Sequence, residues 1–143
     1  MHLFARCPHA RTLWKRYQHI YTKLLPNRRY IYEQNVLGIN LQSKKIDIKI
    51  KKILLTITEI IINELWLTRR KKWPAEPPVE PNIRASIIRI NGNITRLIRT
   101  HYKYHKSQGS IDKFKDRFLR EQALGHLNER NELVLHLPEP EMT

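Results

Sequence analysis

The stretch KKIDIKIKKILLTITEIIINELWLTRRKKW (44–73) decides the fold of this chain, because it can be read with two different periods. Ile46, Ile48 and Ile50 alternate with charged residues as in a half-buried strand, and isoleucine favours strands. Yet Ile46, Ile50, Ile53, Ile57, Ile61 and Leu65 form one stripe at helical spacing, with no Gly or Pro to interrupt it. Length decides for a helix over 45–72. Its wide apolar girth between 53 and 67 implies contact on more than one side. Glu59 and Glu64 lie on or near this apolar surface, and the expected partners are the basic residues Arg69, Arg70, Lys71 and Lys72 that follow. The run ILLTITEIIINELWL (53–67) is also the only membrane candidate. At 15 residues with two Glu and one Asn it is too short and too polar to span a bilayer.

Outward from this helix the signals are simpler. Pro8 fits a first helical turn, and Ala10, Leu13, Trp14, Tyr17, Ile20, Tyr21 and Leu24 recur at three- and four-residue spacing, predicting one helix over 8–25 stopped by Pro26. Residues 26–43 have no clean period and read as a loop with a short extended VLGI piece (36–39). WPAEPPVEP (73–81) is a semi-rigid proline-rich spacer. Ile83, Ile87, Ile90, Ile94, Leu97 and His101 then mark a second long stripe and a helix over 83–105, in which Gly92 costs roughly 1 kcal/mol and invites a kink. After the turn KSQGS (106–110), a helix over 111–124 is expected, with Ser110 as its N-cap and Ile111, Phe114, Phe118 and Leu119 as its apolar face. ELVLHL (132–137) reads as a terminal strand or as an apolar strip that docks, and PEPEMT (138–143) as a disordered tail.

The fold class that follows is mainly all-α: a small irregular assembly of about four helices with, at most, a short C-terminal strand. The chain divides at sequence level into residues 1–73, a linker at 74–82, a basic helical segment at 83–127 and an acidic tail at 128–143.

A hydrophobic fraction of 41% argues against wholesale disorder, whereas a net charge of +14 points to a polyanionic partner, most commonly nucleic acid. The charge is blocked: residues 1–73 hold 16 Lys/Arg against 4 Asp/Glu, and residues 83–120 hold 10 against 2. No Gly-rich phosphate loop and no nucleophile elbow is present, and the close acidic pairs Glu59/Glu64 and Asp112/Asp116 fall within helix patterns. No enzyme and no small-molecule substrate are expected. Cys7 is the only cysteine and no signal peptide is visible, so an intracellular compartment, cytoplasmic or nuclear, is the expectation.

His2 and Cys7, spaced H-x4-C, are half of a zinc site, since imidazole and thiolate are zinc's favoured ligands but a structural site needs four. The pattern H-L-F-x-x-C-P-x-A-x-x-x-W, made here by His2, Leu3, Phe4, Cys7, Pro8, Ala10 and Trp14, resembles the zinc-binding segment downstream of the polymerase in reverse transcriptases of non-LTR (LINE-type) retrotransposons. Val36-Leu37-Gly38-Ile39 and the run from Leu65-Trp66 to Arg69-Arg70 fit the layout that follows the segment in that family, so the resemblance covers about residues 1–73. It implies that His2 and Cys7 are the third and fourth ligands of a Cys-Cys-His-Cys site, and that the chain is the C-terminal remnant of a 5′-truncated element. Zinc would belong to the intact parent protein. With only half of the ligands, this chain is not expected to hold the metal tightly.

The expected function is therefore non-catalytic binding of nucleic acid, most naturally template RNA. Arg69, Arg70, Lys71, Lys72, Arg84, Arg89, Arg96, Arg99 and Lys103 would contact phosphates. Tyr102 and Tyr104 are candidate stacking rings, with helix packing as the plainer role. The competing expectations are a helical interaction module, whose stripe Ile83–Leu97 pairs with a helix of a partner chain, and an open reading frame without selected function.

Overall fold

The computed structural model describes residues 7–31, 33, 45–71 and 82–140, with the backbone alone at 69–71. In chain order these form α1 (Pro8–Arg16), α2 (Gln18–Leu24), α3 (Ile48–Lys71), α4 (Ile83–Ser107), α5 (Ile111–Phe118), a 3-10 turn (Arg120–Gln122) and the strands β1 (Gly125–Leu127) and β2 (Leu133–Leu135). The protein is mainly helical, as the periodicity predicts. His2, Lys72, the VLGI piece and the whole of the proline-rich spacer (73–81) lie outside the described residues.

The isoleucine alternation at 46–50 resolves in favour of the helix because Asp47 interrupts it. The Asp47 carboxylate accepts from the Lys49 N–H (2.8 Å) and its carbonyl from the Lys51 N–H (3.0 Å), so the chain is capped there and helical from Ile48. Ile53, Leu54, Ile57, Ile61 and Leu65 then face inward. Helix α4 opens with the Asn82 side chain accepting from the Ala85 N–H (3.1 Å) and runs through Gly92 without interruption. It ends in a Schellman motif: Ser110 N–H bonds the His105 carbonyl (2.8 Å) and Gly109 N–H the Lys106 carbonyl (3.3 Å). Gly109 holds the left-handed φ of +67° that this closure needs.

One hydrophobic core joins these elements. Ala10, Leu13, Trp14 and Tyr17 of the first helical turns, Ile20, Tyr21 and Leu24 of α2, the inner face of α3, Ile87, Ile90, Ile94 and Ile98 of α4, and Phe114 and Phe118 of α5 pack in a single cluster. The stripe on α4 thus finds its partner within the chain. Within it Ile98 takes the buried place expected of Leu97, which is half-buried, and His101 packs on Phe118 (centroids 4.7 Å apart).

The single helix expected over 8–25 is two. The chain breaks at Tyr17 (φ −101°, ψ 4°), whose fully buried ring sends its hydroxyl to Asn91 Oδ1 on α4 (2.6 Å). No Gly or Pro between residues 9 and 25 marks the spot, so the bend is set by a long-range contact. The last helix stops at Phe118, not near 124. Glu121 and Gln122 take φ of 53° and 51°, and the reversal lets Leu119, Ala123 and Leu124 bury against the core. Ser110 stands at the N-cap of α5, but its hydroxyl meets His105 Nδ1 (2.8 Å) instead of capping the helix.

The expected terminal strand exists, and its antiparallel partner β1, with Gly125 opposite Leu135 and Leu127 opposite Leu133, carries no sequence signal of its own. The connecting turn is built on Asn128, whose Oδ1 accepts from the Arg130 and Glu132 N–H groups (2.9 Å each). Tyr102 of α4 donates to the Asn131 carbonyl. Part of the segment expected to be a disordered tail is held down, since Asn91 Nδ2 donates to the Pro138 carbonyl (2.8 Å) and Arg16 to the Glu139 carbonyl; just ahead of it His19 Nε2 donates to the His136 carbonyl (2.9 Å). Prolines supply no N–H, so this strip offers acceptors, and α1, α2 and α4 supply the donors.

The hairpin tests this packing. A Cβ at Gly125 would come within 2.4 Å of the Val134 carbonyl and 3.1 Å of Leu135 Cδ2. Gly125→Ala is expected to cost about 1–3 kcal/mol. Amide exchange should accelerate at His136, whose N–H bonds the Leu124 carbonyl, while α3 and α4 keep their protection.

Candidate nucleic-acid interface

Helix α4 carries Arg84, Arg89, Arg96, Arg99, Lys103 and Lys106 and no acidic residue. Its inward side is fixed by Ile87, Ile90, Ile94 and Ile98. At 100° per residue, Arg96, Arg99 and Lys103 fall on the opposite side, with Arg84 off one flank at the N-terminal end. All four side chains are exposed, and among the described residues none of them makes an ion pair. Arg96 rests on Asn93 Oδ1 (3.4 Å) within the same helix. Steps of three and four residues place Arg96, Arg99 and Lys103 about 5–6 Å apart in succession. The result is a cationic strip about 10 Å long that meets no carboxylate on its own helix.

Arg89 belongs to a different arrangement. Its Nε donates to Glu64 Oε1 (2.8 Å) and its Nη2 to Glu64 Oε2 (2.7 Å), in the two-pronged geometry that guanidinium and carboxylate share. Glu64 is only 3% exposed, and its partner among the described side chains lies on α4; the basic side chains at 69–72, expected from the sequence to pair with it, lie outside the described residues. Ser86 and Thr68 hydroxyls donate to the same Oε2 (2.9 Å each). Having given its one proton to Glu64, Ser86 Oγ accepts from His9 Nε2 (3.1 Å), which extends the network to α1. Burial pushes the Glu64 carboxyl up, but hydrogen bonds from Arg89, Ser86 and Thr68 and the charge of Arg89 outweigh it and hold the group below the usual carboxylate range.

The other residues singled out by the sequence separate. Tyr102 packs on Phe114 (centroids 5.2 Å apart) and its hydroxyl is used by the hairpin, which leaves Tyr104, 59% exposed, as the ring open to solvent on this helix. Arg69, Arg70 and Lys71 extend the last turn of α3, where only the backbone is described, and Lys72 lies beyond it. Cys7 acts as the N-cap of α1, its sulfur accepting from the Ala10 N–H (3.4 Å). The histidines nearest in sequence turn elsewhere, His9 to Ser86 and His19 to the His136 carbonyl. Among the described residues no three His, Cys, Asp or Glu side chains converge as a metal site, and no helix is long and apolar enough to cross a membrane.

A second ionic cluster ties the start of α3 to α5. Arg120 donates to Asp47 (2.7 Å) and Asp116 (2.8 Å), and Lys49 pairs with Asp116. These groups are largely exposed and contribute little energy singly. They also neutralise Lys49 and Arg120, in contrast to the strip on α4. Comparison with family models, with curated proteins and with solved structures finds no match for the chain.

Two outcomes follow from the Glu64 pair. Arg89→Ala leaves a carboxylate buried without its counter-charge and is expected to cost about 3 kcal/mol, whereas Glu64→Leu combined with Arg89→Leu should cost less than Arg89→Ala alone. Chemical denaturation of the three proteins checks this. Because the carboxyl of Glu64 is depressed in the folded state, its contribution is complete above the unfolded value of about 4.3 and is lost as pH falls through the lower folded value. The stability gap between wild type and Glu64→Gln should therefore be widest near neutrality and narrow only below about pH 4.3.

Proposed function

We propose that this protein is a non-catalytic nucleic-acid-binding module whose α4 grips the phosphates of single-stranded RNA. The observation that carries this reading is the exposed strip Arg96, Arg99 and Lys103, with Arg84 on the flank toward the N-terminal end, on a helix with no acidic residue in a chain of net charge +14. The resemblance of residues 1–73 to the region downstream of the polymerase in LINE-type reverse transcriptases makes template RNA the natural ligand. Arg89 is left out of the contact set because its guanidinium is held by Glu64. Recognition is by charge, with Tyr104 available for stacking, so sequence preference is low.

Each phosphate contact on a single strand lowers log K by about 0.7 per decade of salt, so four contacts give a slope of about −3. Fluorescence anisotropy of a labelled single-stranded RNA across a salt series measures it. The combined reversal Arg96→Glu, Arg99→Glu and Lys103→Glu should bring the slope below about −1 in magnitude while leaving the helical circular dichroism unchanged. Absence of binding at low salt, or a slope that the reversals do not alter, would contradict the assignment.

A further inference from the structure

Helix α3 is apolar on two sides, and the core covers only one. On the outward side Ile48 is 60% exposed, Leu55 42% and Trp66 51%, with Ile62 between them at the edge, half-buried against the core. Two exposed charged residues, Lys52 and Glu59, complete the line. Positions 48, 52, 55, 59, 62 and 66 advance by four and three residues in turn, which is the 3.5-residue repeat of a helix–helix seam. A soluble domain seldom leaves such a row of large apolar side chains uncovered. Among the described residues neither Lys52 nor Glu59 has an ion-pair partner.

The seam is complementary to itself in one direction only. A parallel copy would set Lys52 against Lys52 and Glu59 against Glu59, which is repulsive. An antiparallel copy with its two-fold axis near Ile57 sets Ile48 beside the partner's Trp66 at both ends and Lys52 beside the partner's Ile62. It sets the partner's Glu59 opposite Leu55, three residues or about 4.5 Å along the axis from Lys52 and four residues or about 6 Å from the other Glu59, so the two equivalent Lys52–Glu59 cross-pairs are the nearer charge contacts. We infer that the occupant of this face is a second copy of the chain, docked antiparallel along α3 as a two-fold dimer. The lone Lys and lone Glu in the seam fix its direction, as single polar residues do in coiled coils. The contact is independent of the cationic strip on α4, which belongs to another helix.

Six side chains per copy make an interface at the small end of the range for specific contacts, so a weak, reversible dimer is expected. Sedimentation equilibrium of the full chain from low micromolar to several hundred micromolar, at physiological salt, measures its dissociation constant. Lys52→Glu and Glu59→Lys should each weaken the dimer at least about tenfold by turning both cross-pairs repulsive. The double exchange K52E/E59K restores the pairs and should recover the wild-type constant to within about threefold. Leu55→Glu should leave the chain monomeric with its thermal melting unchanged, since the side chain is exposed. The triple reversal on α4 should leave the dimer intact, which separates this test from that of RNA binding. A chain that stays monomeric, a dimer that survives Leu55→Glu, or single reversals that the double exchange does not rescue would overturn the inference. So would a monomer whose Leu55 and Trp66 are instead required for binding vesicles that contain phosphatidylserine.

Discussion

The carboxylate of Glu64 is the constraint on which the helical packing turns. Apolar burial supplies most of the driving force, but it is non-directional and would tolerate α3 and α4 sliding against each other. A buried carboxylate is not tolerant: it must have its donors or remain unpaired in a poorly solvating interior. Arg89 and Ser86 meet it at one position along α4, Thr68 meets it from α3 itself, and Ser86 passes the link on to His9 of α1. Three helices are held in one register by one side chain. A buried ion pair of this kind adds little net stability over an apolar replacement, and its effect here is on which arrangement is adopted.

With the inner faces so placed, the outer faces of the two long helices acquire distinct characters. The outer face of α4 is cationic and meets no carboxylate on its own helix; that of α3 is an apolar seam with one Lys and one Glu. The cluster of Lys49, Asp47, Asp116 and Arg120 stands between these extremes and neutralises itself. The proposed RNA contact and the proposed dimer therefore use different surfaces and different physics. One depends on counterion release and the other on apolar area with a charge pattern that selects its direction.

The C-terminal strip behaves as a strap over the helices. It brings acceptor carbonyls at His136, Pro138 and Glu139 to donors on His19, Asn91 and Arg16. Asn91 serves twice, accepting from the Tyr17 hydroxyl and donating to the Pro138 carbonyl. The bend between α1 and α2 and the docking of the strap are thus parts of one hydrogen-bonded chain. The His126 and His136 rings, 2.7 Å apart between Nδ1 and Nε2, close the hairpin beneath it.

What the sequence determined by itself is whatever depends on neighbours a few residues apart. The stripes of α3 and α4, the turn at 106–110, the helix start at Pro8 and the cationic character of α4 all follow from local spacing, and so does the excess apolar girth of α3. Tertiary structure decided what depends on distant partners. The break at Tyr17 follows Asn91; Glu64 meets Arg89 of α4, 25 residues on; the chain leaves α5 early because Leu119, Ala123 and Leu124 gain burial by reversing. Strand β1 is three residues long, too short to carry a period, and exists because Leu133–Leu135 pairs with it. Arg89 and Arg96 look alike in the sequence, and only the placement of a buried carboxylate 25 residues before Arg89 makes one a strut and leaves the other facing solvent. Local spacing fixes which face of a helix is apolar; which group each polar side chain meets is set by packing, because hydrogen bonds and ion pairs need contact to within about 3 Å and the sequence carries no such distance.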